Sequence, residues 1–118
     1  MITAQCHCGN VRLEASELPD SITRCNCSIC NRLGAFWAYY LPEDVDVDCV
    51  NVPTETYIWG DQYIELHHCP VCGCATHYTV TKKYRDEFKQ GRVAINFRMV
   101  DPEIVTTIPV REVDGASF

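Results

Sequence analysis

Long hydrophobic runs are missing from this sequence of 118 residues. The longest uninterrupted apolar run is residues 35–41, well short of the roughly 18 residues that a membrane-spanning helix needs. The opening residues MITAQC have neither the basic nor the apolar region of a signal peptide. These two absences predict a soluble, cytoplasmic protein with no membrane partner.

Basic residues are scarce as well. Ten Lys and Arg stand against 16 Asp and Glu, giving a formal net charge of -6. A surface this acidic repels a phosphate backbone, so no nucleic-acid partner is expected. Repeats, low-complexity stretches and linkers rich in Pro, Gly or Ser are also absent. Residues 1–118 are therefore predicted to form a single domain with one modest core.

Helical periodicity is rare, and alternation typical of strands is common. Apolar and polar residues alternate in Val11–Ala15 and on both sides of the turn-like residues 60–62, which predicts a strand and a β-hairpin. Four further segments are candidate strands: residues 22–24, 35–41, 75–80 and 93–100. Two short segments favour a helix: Ser28–Leu33 and residues 83–90. The predicted fold is mostly β.

Cysteine is the residue that this sequence has in abundance, with nine in 118 residues. Eight of them form three tight groups: Cys6 and Cys8; Cys25, Cys27 and Cys30; and Cys69, Cys72 and Cys74. Disulfides usually join separated segments, whereas C-x-C and C-x-x-C turns direct several sulfurs at one centre. The grouping favours metal sites over disulfides, and the isolated Cys49 receives no role.

Two of the groups together can supply one closed metal site. A structural zinc takes four ligands, and Cys6 and Cys8 with Cys69 and Cys72 provide four thiolates from distant parts of the chain. Such a site would join the N-terminal strand to the central hairpin. Iron also binds four thiolates, but zinc is the commoner occupant of such turns.

Cys25, Cys27 and Cys30 then remain as a site with three thiolates. A zinc held by three protein ligands keeps one position for water or substrate, which is typical of a catalytic centre. The alternative is a second closed site, completed by Cys74 or by one of the four histidines. Those histidines are His7, His67, His68 and His77.

The same residues carry a family resemblance. The stretches QCHCGNVRLEA, TRCNCSICNRLGA, HHCPVCGCATHY, AINFRMVDPE and IPVREVDGASF resemble the glutathione-dependent formaldehyde-activating enzyme family, which includes the centromere protein V group. The resemblance implies a zinc-stapled β-tent of two small antiparallel sheets, akin to the methionine-R-sulfoxide reductase fold. It implies a structural zinc on Cys6, Cys8, Cys69 and Cys72, and a catalytic zinc on Cys25, Cys27 and Cys30. The implied reaction joins glutathione, as co-substrate, to formaldehyde, and it is classified as a carbon-sulfur lyase reaction.

Two positions depart from the family pattern. Asn26 stands where the family often has a histidine, and Cys74 stands where a small residue without a thiol is usual. The first departure weakens the case for a histidine-assisted step. The second leaves a fourth thiolate available, so the permanent or substrate-dependent occupancy of the second zinc stays open.

The chemistry of an open zinc-thiolate site suits a thiol and a small aldehyde. Coordination deprotonates a thiol outright, and an aldehyde held about 3 to 3.5 Å from that thiolate is placed for attack. Glutathione carries two carboxylates, which cations must hold in an acidic protein. The candidate contacts by position are Arg24, Arg32, Asn96 and Arg98.

Two other functions are compatible with the sequence. In one, both zincs are structural and the domain is a non-catalytic binding or scaffold module. In the other, the protein is a thiol redox enzyme with Cys74 or Cys49 as its nucleophile. The redox function requires a lowered thiol pKa outside the metal sites.

Overall fold

A computed structural model describes residues 1–117 as a mostly β fold. The strands are β1 (Ile2–Gln5), β2 (Val11–Ala15), β3 (Ile22–Cys25), β4 (Trp37–Tyr40), β5 (Val45–Cys49), β6 (Glu55–Ile58), β7 (Ile64–His68), β8 (Ala75–Val80), β9 (Val93–Asn96) and β10 (Val110–Val113). The α-helices are α1 (Ser28–Leu33), α2 (Lys82–Phe88) and α3 (Pro102–Val105). Short 3-10 turns cover Pro42–Asp44, Phe97–Met99 and Gly115–Ser117.

The strands form two sheets, which confirms the predicted mostly β architecture. The small sheet has the order β1-β2-β5, and the large sheet has the order β10-β3-β4-β9-β8-β7-β6. Neighbouring strands are antiparallel except at one edge, where β10 runs parallel to β3. This parallel edge was not foreseen, because β10 reaches β3 through a connection across most of the chain.

The cores explain why these segments become strands. In β2 the inward residues Val11, Leu13 and Ala15 are buried, and the residues between them face outward or are half-buried. They join a core that also contains Ile95 from the large sheet and Phe97 from the 3-10 segment that follows β9. A second, smaller core surrounds Trp37 and Tyr78 on the large sheet.

Local signals located two of the three α-helices and the hairpin, whereas α3 was not predicted. The hairpin of β6 and β7 and the helix α1 are confirmed, and α1 ends at Gly34 in the left-handed conformation with φ 63°. The second helix, α2, is confirmed with shifted ends, because Thr81 accepts from the Tyr84 amide and begins the helix one residue earlier. It ends at Lys89, before Gly91.

The strand predicted over residues 93–100 is too long. Strand β9 stops at Asn96, whose side-chain oxygen accepts a hydrogen bond from the Arg98 amide and turns the chain into the 3-10 segment Phe97–Met99. The apolar pattern continues through this turn because Phe97 is buried in the core. Periodicity alone therefore could not locate the end of the strand.

The described helices are all short. Within residues 1–117, none has the length and apolar character that crossing a membrane would require.

Candidate metal centres

Four cysteines from distant parts of the sequence lie together in one cluster, hereafter the four-cysteine cluster. Its members are Cys6, Cys8, Cys69 and Cys72, whose sulfurs all lie within 4.8 Å of one another. The Cys8 sulfur lies 3.7 Å from that of Cys6 and 3.6 Å from that of Cys69. Zn–S bonds of 2.3 Å in a tetrahedron place sulfurs about 3.8 Å apart. The donor set and its spacing therefore fit zinc.

The turns that carry these sulfurs are built from short-range hydrogen bonds. The Gly9 amide donates to the Cys6 carbonyl at 3.1 Å, and the Gly73 amide donates to the Cys69 carbonyl at 2.8 Å. Both glycines have positive φ, 84° and 82°, which side chains with a Cβ rarely adopt. The turns place the paired sulfurs on one side of the backbone.

A buried asparagine that the sequence analysis missed supports the four-cysteine cluster. The Asn10 amide group lies 3.7 Å from the Cys69 sulfur and donates to the Val52 carbonyl at 2.9 Å. Its oxygen accepts from the amides of Asn51 and Val52. Asn10 therefore ties residues 51–52 to the cluster. Only its position two residues after the C-x-C pair hinted at this role.

Two sulfurs of the cluster, those of Cys69 and Cys72, are favoured as thiolates before any metal is considered. Although the Asn10 amide favours the Cys8 thiolate, desolvation and the neighbouring sulfurs raise the pKa of Cys8 to about 12. Burial opposes ionisation of Cys72, but backbone amides of Cys74 and Cys8 donate to its sulfur and lower its pKa to about 5. The Cys72 and Val71 amides, acting against burial, also lower the pKa of Cys69. Thiolates are the form of cysteine that binds zinc.

The second group, hereafter the three-cysteine cluster, comes from one short segment. Cys25 ends β3, Cys27 precedes α1 and Cys30 lies within α1. Their three sulfurs lie within 4.8 Å of one another. The donor set again fits zinc and leaves one tetrahedral position without a protein ligand among residues 1–117.

The sulfurs of the three-cysteine cluster differ in their surroundings. Burial raises the pKa of Cys30 to about 12, although the Trp37 indole N–H donates to its sulfur at 3.3 Å. Burial also opposes ionisation of Cys27, but donors from Cys30, Cys25 and the Ile29 amide outweigh it and lower its pKa. The Cys27 thiol therefore ionises more readily than the Cys30 thiol.

The chain segment after β10 packs against the three-cysteine cluster. A Cβ placed on Gly115 would lie 2.4 Å from the Cys25 sulfur, so only glycine fits there. The Asn26 side chain holds the segment in place, because it donates to Asp114 at 2.8 Å and accepts from the Ala116 amide at 3.0 Å. Asn26 thus has a structural contact at the position where a histidine was expected from the resemblance.

The three-cysteine cluster opens onto a cleft of about 770 Å³, hereafter the cysteine cleft. The cleft is lined by a row of cross-strand partners, namely Arg111 on β10, Thr23 on β3 and Trp37 on β4. Tyr78 also lines the cleft. The Arg111 guanidinium donates to the Thr23 hydroxyl at 3.2 Å. Among the described residues, Arg111 is the basic side chain that lines the cleft. Arg111 was not predicted from the sequence because 81 residues separate it from Cys30.

Cys74 and the histidines lie apart from the three-cysteine cluster. Cys74 adjoins Cys72, and although the His7 amide favours its thiolate, burial and the Cys72 charge leave its pKa raised. A raised pKa does not suit a redox nucleophile. His67 and His77 stack on each other at 4.2 Å between β7 and β8. Among residues 1–117, no histidine and no fourth cysteine joins the three sulfurs.

The four residues predicted to hold glutathione are placed elsewhere. Arg24 pairs with Glu112, and Arg32 donates to the Ser28 carbonyl within its own helix. Asn96 is buried, accepts from the Phe36 amide and donates to the Ala75 carbonyl. Arg98 donates to the Gly34 carbonyl and lines a different cleft. None of these four residues lines the cysteine cleft. The arginine that does line it is Arg111.

Comparisons with known proteins agree with this geometry. The family described as "Glutathione-dependent formaldehyde-activating enzyme" matches residues 1–105. A crystal structure of a Rhodobacter sphaeroides protein is similar, with a TM-score of 0.72 and 25% identity, over 93% of this chain and 100% of that chain. Among curated proteins, no match was found. Because the family match covers most of the sequence and both cysteine clusters lie within it, the chain belongs to the glutathione-dependent formaldehyde-activating enzyme family.

Proposed function

We propose that this protein is a zinc-dependent enzyme of the carbon-sulfur lyase type, which joins glutathione or a similar thiol to formaldehyde or another small electrophile. One observation carries the proposal. Three sulfurs within 4.8 Å, without a fourth protein ligand among residues 1–117, face a cleft of about 770 Å³. A cleft of this size accommodates a tripeptide-sized ligand beside the sulfurs.

In this proposal the three-cysteine cluster is the catalytic centre and the four-cysteine cluster is structural. Zinc on the three-cysteine cluster would supply the charge that keeps a substrate thiol in its thiolate form. Cys25, Cys27 and Cys30 hold the metal and set its geometry. Trp37 fixes Cys30 through its indole N–H, and Gly115 leaves room for the Cys25 sulfur.

The remaining residues of the cleft orient the substrate. Arg111 is held in place by Thr23 and offers its other N–H groups to a carboxylate of the thiol substrate. The rings of Trp37 and Tyr78 pack edge to face at 5.0 Å and form an apolar wall. That wall excludes water from one side of the reacting thiolate, which favours attack on an aldehyde over hydration.

The test is the exchange rate, by NMR at equilibrium, between glutathione plus formaldehyde and their adduct. The zinc-loaded protein is expected to raise the rate above the uncatalysed background, and Cys27→Ser is expected to abolish the increase. Cys49→Ser is the matched control, because Cys49 lies in β5 outside both clusters. It should keep the full rate.

Zinc content is measured on the same samples. Cys27→Ser is expected to lose one of two zinc ions, and Cys49→Ser is expected to keep both. A wild-type rate equal to the background, with both zinc ions bound, would contradict the proposed reaction and favour the binding-module function.

A further inference from the structure

A second cleft, hereafter the apolar cleft, lies away from both cysteine clusters and has a volume of about 440 Å³. Its lining includes Phe36, Phe97, Arg98, Val105, Thr106 and Ile108. Phe36, Phe97 and Ile108 belong to the core and are at most 8% exposed. Core packing fixes these walls, so the cleft is formed before any ligand enters.

Arg98 is the cation of the apolar cleft, and three contacts hold it there. Its guanidinium carbon lies 3.9 Å from the centre of the Phe36 ring, and its Nε donates to the Gly34 carbonyl at 2.9 Å. Its backbone amide donates to the Asn96 side chain at 3.1 Å. Within residues 1–117, no carboxylate lies within 4.0 Å of its guanidinium nitrogens.

Within residues 1–117, Arg24 pairs with Glu112, whereas the two terminal nitrogens of Arg98 have neither a hydrogen-bond partner nor a carboxylate partner and lie beside an apolar wall. A guanidinium in this setting recognises a carboxylate through two parallel hydrogen bonds.

The apolar cleft and the cysteine cleft are on opposite faces of the large sheet. Successive residues of a strand point to opposite faces. Phe36 and Val110 line the apolar cleft, whereas their neighbours Trp37 and Arg111 line the cysteine cleft. The two clefts share no lining residue, so a ligand at Arg98 would occupy a site distinct from the cysteine cleft.

We propose that the apolar cleft binds a small monocarboxylate with a hydrocarbon tail. The carboxylate pairs with Arg98, and the tail lies against Phe97, Val105 and Ile108. Both halves of the site depend on contacts described above, namely the fixed guanidinium and the buried apolar walls. This site is separate from the cysteine cleft, and the proposal does not depend on the reaction proposed for that cleft.

The test is an NMR titration of the zinc-loaded protein with hexanoate, following the methyl groups of Val105 and Ile108. Saturable shifts are expected, with hexanol binding at least about tenfold more weakly because it lacks the charge. Arg98→Gln should lose about that tenfold for hexanoate and leave hexanol unchanged. Arg24→Gln, at an arginine that is already paired, should behave like the wild type.

A second variant covers the case in which Arg98→Gln disturbs α1 through the lost contact with Gly34. Thr106→Trp places a large ring at an exposed position that lines the cleft, and leaves Arg98 untouched. It should abolish the hexanoate shifts and preserve the rest of the spectrum. The proposal is wrong if the wild type shows no saturable shift, if hexanol binds as well as hexanoate, or if Thr106→Trp still binds hexanoate.

Discussion

Single residues set the chemistry of the cysteine cleft, and two arginines show how. Arg24 and Arg111 lie on neighbouring strands, and their cross-strand partners are Glu112 and Thr23. The Arg24 guanidinium forms an ion pair with the Glu112 carboxylate, whereas the Arg111 guanidinium donates a hydrogen bond to the neutral Thr23 hydroxyl. Arg24 is nearer the cysteines in sequence, but because it is already paired it is less available than Arg111 to bind a substrate carboxylate.

The two arginines make a matched pair for a binding experiment. We expect Arg111→Gln to weaken glutathione binding about tenfold or more, since one charge-assisted pair is lost, and Arg24→Gln to leave it unchanged. Isothermal titration with S-methylglutathione, which has no free thiol, measures the carboxylate contact alone. Equal affinities for the two variants would remove Arg111 from the site.

Gly115 is the second residue whose role can be tested alone. Alanine there would place a Cβ 2.4 Å from the Cys25 sulfur and displace either the sulfur or the segment after β10. We expect Gly115→Ala to weaken zinc at the three-cysteine cluster by about tenfold or more, as changes next to metal ligands do. Competition with a chromophoric chelator measures this loss.

Ala116→Ser provides the control for that experiment. It adds an atom in the same segment and keeps the amide that donates to Asn26. Its zinc affinity should match the wild type. If Gly115→Ala also binds zinc as tightly as the wild type, the segment moves freely and does not shape the cluster.

At the scale of elements, the hairpin partners β7 and β8 carry a stacked histidine pair, in which His77 is buried and His67 is half-buried. His67 and His77 are cross-strand partners whose rings stack at 4.2 Å. Thr54 and Thr79 bond the two nitrogens of His67, and Thr76 bonds His77. Burial lowers the pKa of both rings, that of His77 to about 3.

This pair makes the fold sensitive to mild acid. The unfolded chain protonates His77 near pH 6.5, whereas the folded chain stays neutral until about pH 3, so the free energy of unfolding falls as the pH drops below 6.5. Between about pH 7.5 and about pH 5.5, the wild type should lose about 1.4 kcal/mol more than His77→Gln. Urea unfolding at each pH measures this difference.

The comparison of the two proteins matters because acid also weakens zinc-thiolate bonds. That effect is common to both and cancels in the difference. A wild-type curve parallel to that of His77→Gln would show that His77 is not buried as described.

The elements also show how far sequence patterns reach. Cysteine spacing located both clusters, and local periodicity located α1 and the β6–β7 hairpin. Strands β1, β5 and β10 were not predicted. The alternation in β5 (VDVDC) was missed, whereas β10 (VREV) is largely exposed and has no such alternation. The pairing of β5 with β2 and of β10 with β3 joins segments far apart in sequence, which periodicity cannot reveal.

The candidate site divides in the same way. The ligand sulfurs are encoded by short spacing, so sequence reasoning could group them. Asn10, Arg111 and Gly115 act through contacts with residues between 41 and 90 positions away, and only the folded chain brings them together. Arg24, Arg32 and Arg98 were predicted from their positions in the sequence, and none of them lines the cysteine cleft.

At the scale of the whole molecule, the four-cysteine cluster connects the two sheets in addition to the apolar core that they share. It joins the turn after β1 to the turn after β7, across 61 residues between Cys8 and Cys69. Structural zinc in small domains contributes roughly 10 kcal/mol or more in apparent binding free energy, comparable to the entire stability of a domain of this size.

The two clusters should therefore differ in their effect on folding. Cys69→Ser is expected to leave the chain largely unfolded, whereas Cys27→Ser is expected to stay folded with one zinc fewer. Amide proton dispersion in NMR spectra and zinc content distinguish the two states. A folded Cys69→Ser protein without zinc would mean that the apolar cores suffice and that the cluster is not structural.

The alternation of side chains along β10 has a further consequence for how such a protein could change. Val110 and Arg111 face different clefts only because of the register that pairs them with Ile22 and Thr23. Adding one residue to the connection between α3 and β10 would shift that register and exchange the two faces. Arginine would leave the cysteine side and valine would take its place. A change in loop length, with no substitution in either cleft, would thus be enough to change the side chains that line both clefts and the ligands that they bind.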